Sequence, residues 1–368
     1  LQRDDRFKAG QKSRRQRVTG VGADDYQFAS VGLPVGQPGG DLGVERCPQA
    51  VPVACGAVRS SSTRGCCAAV ANGAAAIATG QADCVVVFRS LAQGQYGRFG
   101  QTTGVNTASG EKSYLMPYGV LSPPQRFAMR VQRYMHEHGV RQEALRAIAL
   151  ASYHHAQANP RAVMHGRPLD EARYDESRWI AEPFHLFDCC MENDGAAALV
   201  LVDAERARDF ANKPVYLLGA ASGAGYRFAV HPHNSPEYAS ANFGTVARDL
   251  YDMARVTPAD VGVVQSYENF TGGVVMAMAA HGFFKPEEAN DFLTLENLTA
   301  PKGRLPLNTS GGNLAECYMH GFELVLEAVR QVRGTSTSQA PRHDVALVVG
   351  GPMVAPASNL MFGSEAVL

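Results

Sequence analysis

The chain carries the same short unit near each of its ends: a helix-compatible run that stops at glycine, followed by a fully apolar run. The first copy reads AAVANGAAAIATG, stops at Gly80 and leads into CVVVF at 84–88. The second reads FELVLEAVRQVRG, stops at Gly334 and leads into VALVV at 345–349. Glycine commonly ends helices, and apolar runs of this length are typical of buried strands. The repeated unit therefore predicts two similar α/β halves that face each other.

The residues between the two copies add further strands and helices. Short apolar runs bounded by turn residues predict buried strands at 198–202, 215–219 and 261–265. Helical patterns cover 125–138, ended by Gly139, and 142–158, ended by Asn159-Pro160. We expect a first half at 63–205, which holds a mostly helical insertion at about 90–183, and a second half at 206–368.

Residues 1–62 differ from the rest of the chain. They begin without methionine and contain QKSRRQR followed by a Gly/Pro/Val-rich sequence. Their apolar residues follow neither the two-residue period of a strand nor the roughly 3.6-residue period of a helix. Three interpretations fit this segment: a poorly ordered extension, a truncated start, or a sequence translated in a shifted reading frame. We therefore assign no function to this segment.

Composition excludes several classes of protein. With 45% hydrophobic and 19% charged residues, the 368-residue chain can bury a large core. A net charge of −1 and a single tryptophan give no electrostatic footprint for nucleic acid. The eight cysteines never fall into C-x-x-C spacing, and no run is apolar enough for a membrane span or a signal-peptide core. These features predict a cytoplasmic protein with reduced thiols and no metal site of its own.

The stretch GGNLAECYMHG at 311–321 concentrates chemistry-bearing residues in a turn that leads into a helix. Free backbone N–H groups at such a place can hold an anion or polarise a carbonyl. Taken alone, a tyrosine here is more often a packed ring than a catalyst. The motif by itself leaves both roles open.

Several motifs in order resemble the thiolase superfamily. They are GAAAIATGQADCVVVF, DCCMENDGAAALVLV, YENF, LPLNTSGGNLAECYMHG and EAVRQVRG. Within it, the chain is most similar to the lipid-transfer-protein-type members that cleave steroid side chains as CoA-thioester aldolases. The resemblance begins at about Gly65. It implies a five-layered αβαβα fold built from two pseudo-repeated halves, in agreement with the repeat above.

The superfamily's catalytic positions hold unusual residues in this chain. By the resemblance, the nucleophilic cysteine position falls on Thr63 and the two histidine positions fall on Tyr267 and Tyr318; the late cysteine falls on Val348. A small alignment gap would bring Cys66 or Cys67 to the nucleophile position. Acyl-enzyme chemistry needs an activated thiolate and a nearby base, and the ungapped count supplies neither.

Two tyrosines without a nucleophile fit a retro-aldol cleavage, and the resemblance gives the roles. Tyr267 is placed as the base for the β-hydroxyl proton and Tyr318 as the acid for the enolate carbon, or the reverse. Tyrosine ionises near pH ~10, so we expect neighbours to stabilise a phenolate, with His320 and the nearby helix start helping and Glu268 opposing. Supporting roles are expected for Asn269 and for Asn308, which either holds the turn or contacts the thioester oxygen.

The predicted function is cleavage of a β-hydroxyacyl-CoA side chain, steroid-derived, to a ketone and a short acyl-CoA such as propionyl-CoA. The alternatives are a thiolase or acyltransferase on an aromatic or branched acyl-CoA, and a non-catalytic acyl-CoA-binding scaffold. No cofactor is expected beyond the coenzyme A of the substrate. The resemblance implies a homodimeric core with a small partner subunit, which has an OB-like domain and a zinc ribbon and would carry any zinc.

Overall fold

The computed structural model describes residues 65–92, 109–110, 112–225, 238–240, 242–351 and 353–368, and the backbone of Ser30–Gly32. Its strands are β1 Ser30–Gly32, β2 Cys84–Ala92, β3 Trp179–Ala181, β4 Phe184–His185, β5 Asp194–Val202, β6 Val215–Gly223, β7 Val263–Ser266, β8 Val345–Gly350 and β9 Ala357–Gly363. Its α-helices are α1 Cys66–Ala78, α2 Lys112–Leu115, α3 Pro123–His138, α4 Gln142–Ala158, α5 Glu171–Asp175, α6 Ala247–Ala254, α7 Thr271–Ala280, α8 Ala289–Phe292, α9 Leu295–Leu298, α10 Gly312–Ala315 and α11 Phe322–Arg333.

The predicted helices and strands are confirmed, and their ends have local causes. Helix α3 begins two residues earlier than its pattern indicated, because Ser122 and Gln125 form a capping box around Pro123 at the first turn. Helix α11 lies between Gly321 and Gly334, whose φ angles of 82° and 79° suit glycine. Both repeated helix–strand units are therefore present.

One mixed sheet joins strands from both ends of the chain. It has seven strands in the order β2-β5-β1-β6-β9-β8-β7. Strand β1 pairs in parallel with β5 and β6, and β7 pairs in parallel with β8. The pairs β2–β5, β6–β9 and β9–β8 are antiparallel. Strand β1 lies within the segment in which no strand or helix period was found, so at least these three residues form regular structure. Thr63 and the rest of residues 1–62 lie outside the described residues.

Helices α1 and α11 lie between strand layers. Helix α11 contacts β5 near one end of the strand order and also β7, β8 and β9 at the other end, so the sheet curves around it. Helix α1 contacts β2 and β5 as well as β6, β8 and β9. One apolar cluster unites these helices with alternate strand residues such as Leu201, Leu217, Val348 and Leu360. The two helices therefore form a buried central layer.

A second helix layer covers the opposite face of β6–β9–β8–β7. The next residues along these strands, among them Leu218, Val349 and Met361, pack with α3, α4, α6 and α7 in a separate cluster. The described residues thus form successive helix, strand, helix and strand layers, and the expected α/β fold class is confirmed.

The described part of the predicted insertion is mostly helical, as expected, with the short strand β3 near its end. It contains α2 to α5, and α4 packs against α7, α9 and α10. Within the described residues, no helix is long and apolar enough to cross a bilayer. The proposed domain boundaries stay a prediction.

Candidate active site

Tyr267 and Tyr318 meet at the centre of the molecule. Tyr267 follows the last residue of β7, and Tyr318 lies between α10 and α11. Their hydroxyl oxygens are 2.8 Å apart, which is hydrogen-bond distance, and their ring centroids are 6.3 Å apart. Both side chains are buried. The two positions singled out by sequence therefore form one hydrogen-bonded pair.

Close packing at the start of α11 brings the pair together. Gly321 has a φ of 82°, and a Cβ there would lie 2.5 Å from Tyr267 Cδ2 and 3.3 Å from Cys66 Sγ. Only glycine allows the backbone to approach the ring so closely at this conformation. The first turns of α1 and α11 consequently converge beside Tyr267.

The Tyr318 backbone is held on both sides by side chains that sequence reasoning did not single out. Its N–H donates to Asn193 Oδ1 at 2.6 Å. The next N–H, of Met319, donates to Glu323 Oε2 at 3.0 Å. Asn193 lies in the MEND stretch before β5, and Glu323 lies in the first turn of α11. The position of Tyr318 thus depends both on a distant segment, through Asn193, and on the start of the following helix, through Glu323.

Glu268 faces away from the hydroxyl pair toward α10. Its Oε1 accepts from Asn313 N at 2.9 Å and its Oε2 from Asn313 Nδ2 at 3.1 Å. A Cβ on Gly312 would lie 1.7 Å from Oε1, so glycine is required there. Burial raises the pKa of Glu268 to about 8. The carboxyl is therefore mostly protonated at pH 7.

The two asparagines occupy different environments. Asn308 donates from Nδ2 to Ser266 O at 2.9 Å and accepts from Ser266 N at 2.8 Å, so its amide fixes the strand end before Tyr267. Of the two roles considered for Asn308, the geometry favours holding the turn. Asn269 is buried, and its Oδ1 has no hydrogen-bond partner within the described part of the chain. The backbone carbonyl oxygen of Asn269 accepts a hydrogen bond from Cys190 N at 2.9 Å.

Burial raises the pKa of both tyrosines well above the ordinary value. For Tyr267 the neighbouring Tyr318 and Cys190 act in the same direction. For Tyr318, Cys190 raises the pKa further, whereas the hydrogen bond from Tyr267 and the Arg89 guanidinium lower it. The expectation of a stabilised phenolate is therefore not met, and the pair is neutral at pH 7.

His320 lies beside Tyr318, but its imidazole does not carry the positive charge that was expected to stabilise a phenolate. The two rings pack edge to face with centroids 4.9 Å apart. Burial, followed by the nearby Arg89, lowers the pKa of His320 to about 4, so its imidazole is neutral at pH 7. The two side chains form a hydrogen bond in which Arg89 Nη2 donates to His320 Nδ1 at 2.9 Å. Arg89 is a cation that acts on Tyr318, and it lies in β2 directly after the apolar run 84–88, where no local pattern predicted such a role.

Cys66 also lies at the site. Its Sγ is 3.8 Å from Cys67 Sγ. The hydrogen bond between the two thiols lowers the pKa of Cys66, although burial acts in the opposite direction. The same hydrogen bond and burial both raise the pKa of Cys67. Val348 is buried in β8, and Thr63 lies outside the described residues. The described residues bring together no group of side chains suited to bind a metal ion.

Comparisons with known proteins identify the family of this chain. A family model described as thiolase C-terminal domain-like matches residues 229–362. The steroid side-chain-cleaving aldolase of Thermomonospora curvata is 38% identical over 306 residues, which are 81% of this chain and 78% of that protein. The 17-hydroxy-3-oxo-4-pregnene-20-carboxyl-CoA lyase of Mycobacterium tuberculosis is 38% identical over 304 residues, with coverage of 81% and 78%.

The chain belongs to the thiolase superfamily. A solved structure described as the Ltp2-ChsH2(DUF35) aldolase matches this thiolase-superfamily chain with a TM-score of 0.74 at 38% identity, covering 81% of this chain and 77% of that chain. The resemblance drawn from the motifs is thereby confirmed.

The buried carboxyl of Glu268 should make the stability of this thiolase-superfamily chain depend on pH. Its pKa rises on folding from 4.5 to about 8, so its contribution to stability is fully present below pH 4.5 and is lost as the pH rises through 8. Relative to Glu268→Gln, the wild type should lose stability across that window, by at most about 1.4 kcal/mol per pH unit. Urea unfolding of both proteins at a series of pH values measures the difference. Parallel curves for the two proteins would contradict a proton held at Glu268.

Proposed function

We propose that this protein is a retro-aldolase that cleaves a β-hydroxyacyl-CoA to a ketone and a short acyl-CoA such as propionyl-CoA. The observation that carries the proposal is the 2.8 Å contact between the Tyr267 and Tyr318 hydroxyls, inside a buried site. Such a cleavage breaks a C–C bond and transfers one proton from the β-hydroxyl to the enolate carbon. A hydrogen-bonded pair of hydroxyls can carry that proton.

The pair carries the proton without a free phenolate. As the C–C bond breaks, the β-hydroxyl gives its proton to Tyr267 and the bond electrons become the thioester enolate. Tyr267 passes its own proton to Tyr318, and Tyr318 protonates the enolate carbon. Both tyrosines end as they began. A concerted transfer is consistent with the raised pKa values of both groups, because neither must ionise fully.

Two relatives support a steroid-derived substrate. They are named as a steroid side-chain-cleaving aldolase and as a 17-hydroxy-3-oxo-4-pregnene-20-carboxyl-CoA lyase. A hydroxyl at the β-carbon of a CoA thioester is the group that the tyrosine relay requires. We therefore propose a substrate of that class, with coenzyme A arriving as part of it and no further cofactor in this chain.

Cys66 favours a second candidate function, acyl transfer of the thiolase type. The thiol lies beside Gly321 and Tyr267, and its pKa is lowered chiefly by Cys67. Acyl transfer also needs a base to activate the thiol, and a tyrosine of raised pKa is a poor base at neutral pH. The hydrogen-bonded pair of hydroxyls, which can accept one proton while it gives up another, therefore favours the aldolase.

We further propose a homodimeric core that works with a small OB-like, zinc-ribbon partner in the cytoplasm. The solved relative is a complex with a DUF35 component. Strand β2 ends the sheet on one side, and Val86 and Phe88 on it are 51% and 65% exposed. Since β2 is the last strand of the sheet among the described residues and carries exposed apolar side chains, it suits antiparallel pairing with a second copy about a two-fold axis.

Removing either hydroxyl should break the relay. Tyr267→Phe and Tyr318→Phe keep the rings and their packing, so each variant should fold and lose at least about 100-fold in kcat for CoA-thioester cleavage. The double variant should be little worse than either single one, because both groups serve one proton transfer. Ketone and acyl-CoA formation, measured without free coenzyme A and with the partner present, tests this. Near-normal cleavage by both single variants would rule the mechanism out.

Cleavage should leave no acyl group on Cys66. Acid quenching during turnover followed by peptide mass analysis should find Cys66 and Cys67 unmodified, and Cys66→Ala should lower the rate only through packing. A trapped acyl-cysteine, together with a requirement for free coenzyme A, would establish the acyl-transfer function instead.

The β2 edge should hold the dimer together. Phe88→Lys places a charge on its exposed face, and the dimer should weaken by at least about tenfold. Tyr118→Lys is the matched control, since Tyr118 is an 84% exposed aromatic residue away from β2. Light scattering at several concentrations, with and without a DUF35-type partner, measures the effect. A monomeric wild type under both conditions would contradict the proposal.

A further inference from the structure

Glu323 is a buried carboxyl beside the tyrosine pair that the reaction scheme does not use. Its side chain lies in the first turn of α11 and is only 2% exposed. Helix starts favour anions, yet burial dominates here and raises the pKa of Glu323 well above its ordinary value. Burial therefore favours the protonated, neutral form of this carboxyl.

The two oxygens of Glu323 have different surroundings. Oε2 accepts from Met319 N at 3.0 Å and so closes the turn that carries Tyr318. Oε1 is buried and has no hydrogen-bond partner among the described residues. A protonated carboxyl suits this arrangement better than a carboxylate, because an unpartnered neutral oxygen costs less to bury than an unpaired negative charge.

A negative charge on Glu323 would act directly on the tyrosines, since its charge raises the pKa of both Tyr267 and Tyr318. The other titratable and charged groups around it come from α1, from the segment before β5, from the residues after β7, from the turn before α11 and from β2. They are Cys66, Cys190, Tyr267, Glu268, Glu316, Tyr318 and Arg89.

We propose that Glu323 is a positioning residue whose neutral carboxyl holds the Tyr318 turn through Met319 and whose ionisation switches the tyrosine relay off. This inference rests on the proposed aldolase function and deepens it. As the C–C bond breaks, partial negative charge develops on the relay oxygens and on the enolate, and an anion in the same buried space opposes that charge. Cleavage therefore falls as the pH rises and Glu323 loses its proton.

Two substitutions separate the two roles. Glu323→Gln stays neutral at every pH and keeps an oxygen for Met319 N, so its cleavage rate should lack the alkaline fall that Glu323 causes in the wild type. Glu323→Ala loses the acceptor as well, and kcat should drop about tenfold or more, with the Gln variant recovering most of that loss. Glu327→Gln is the matched control: Glu327 is a fully buried carboxyl one turn later that bonds Thr309 and Ser336. Its pH profile should keep the wild-type shape.

A readout without substrate makes the inference independent of turnover. Phenolate absorbance of the tyrosine pair, obtained by subtracting the Tyr267→Phe/Tyr318→Phe spectrum, should appear at lower pH in Glu323→Gln than in the wild type, because no carboxylate then opposes ionisation. A shifted titration without cleavage would refute the proposed function and leave the role of Glu323 standing. Cleavage with an unshifted titration and an unchanged pH profile in Glu323→Gln would overturn the role of Glu323.

Discussion

The packing of α1 and α11 between two layers of strands is the constraint on which the site depends. Both helices are lined by apolar residues that contact strands at opposite ends of the sheet order. Because each helix is enclosed on both sides, its direction and axial position are fixed by packing rather than by loops. The first turns of the two helices converge at Gly321 and Cys66, next to Tyr267. The site is therefore built on two helices enclosed by packing, which is what a proton relay of fixed geometry requires.

The site combines many buried ionisable groups with very little positive charge. Glu268, Glu323, Cys190 and both tyrosines have raised pKa values, in each case chiefly because of burial. A buried acid that keeps its proton donates hydrogen bonds at neutral pH instead of repelling a developing anion. The chemistry consistent with such a site is proton transfer between neutral groups. An imidazole–thiolate pair, which needs separated charges, fits it poorly.

Structural roles and chemical roles are shared among neighbouring residues in this site. Asn308 and Glu268 sit next to the tyrosines in sequence or space, yet their side chains hold Ser266 and Asn313. Conversely, Arg89 and Asn193 lie far away in sequence and reach the Tyr318 turn through single hydrogen bonds. Supporting residues of this kind set the orientation of a catalytic group to within fractions of an ångström.

The sequence by itself determined the elements, the repeat and the tyrosine pair. Helix α11 and strand β8 were predictable because glycine ends and apolar runs are local signals. Tyr267 and Tyr318 were identified through family positions, and the superfamily is confirmed by comparison. Only the tertiary structure decided the protonation of the site. The neutrality of His320 and the proton on Glu268 follow from burial, Arg89 reaches the Tyr318 turn from a distant strand, and Glu323 acts on both tyrosines through space. Desolvation and through-space charge depend on the packing of distant segments, which no local pattern in the sequence records.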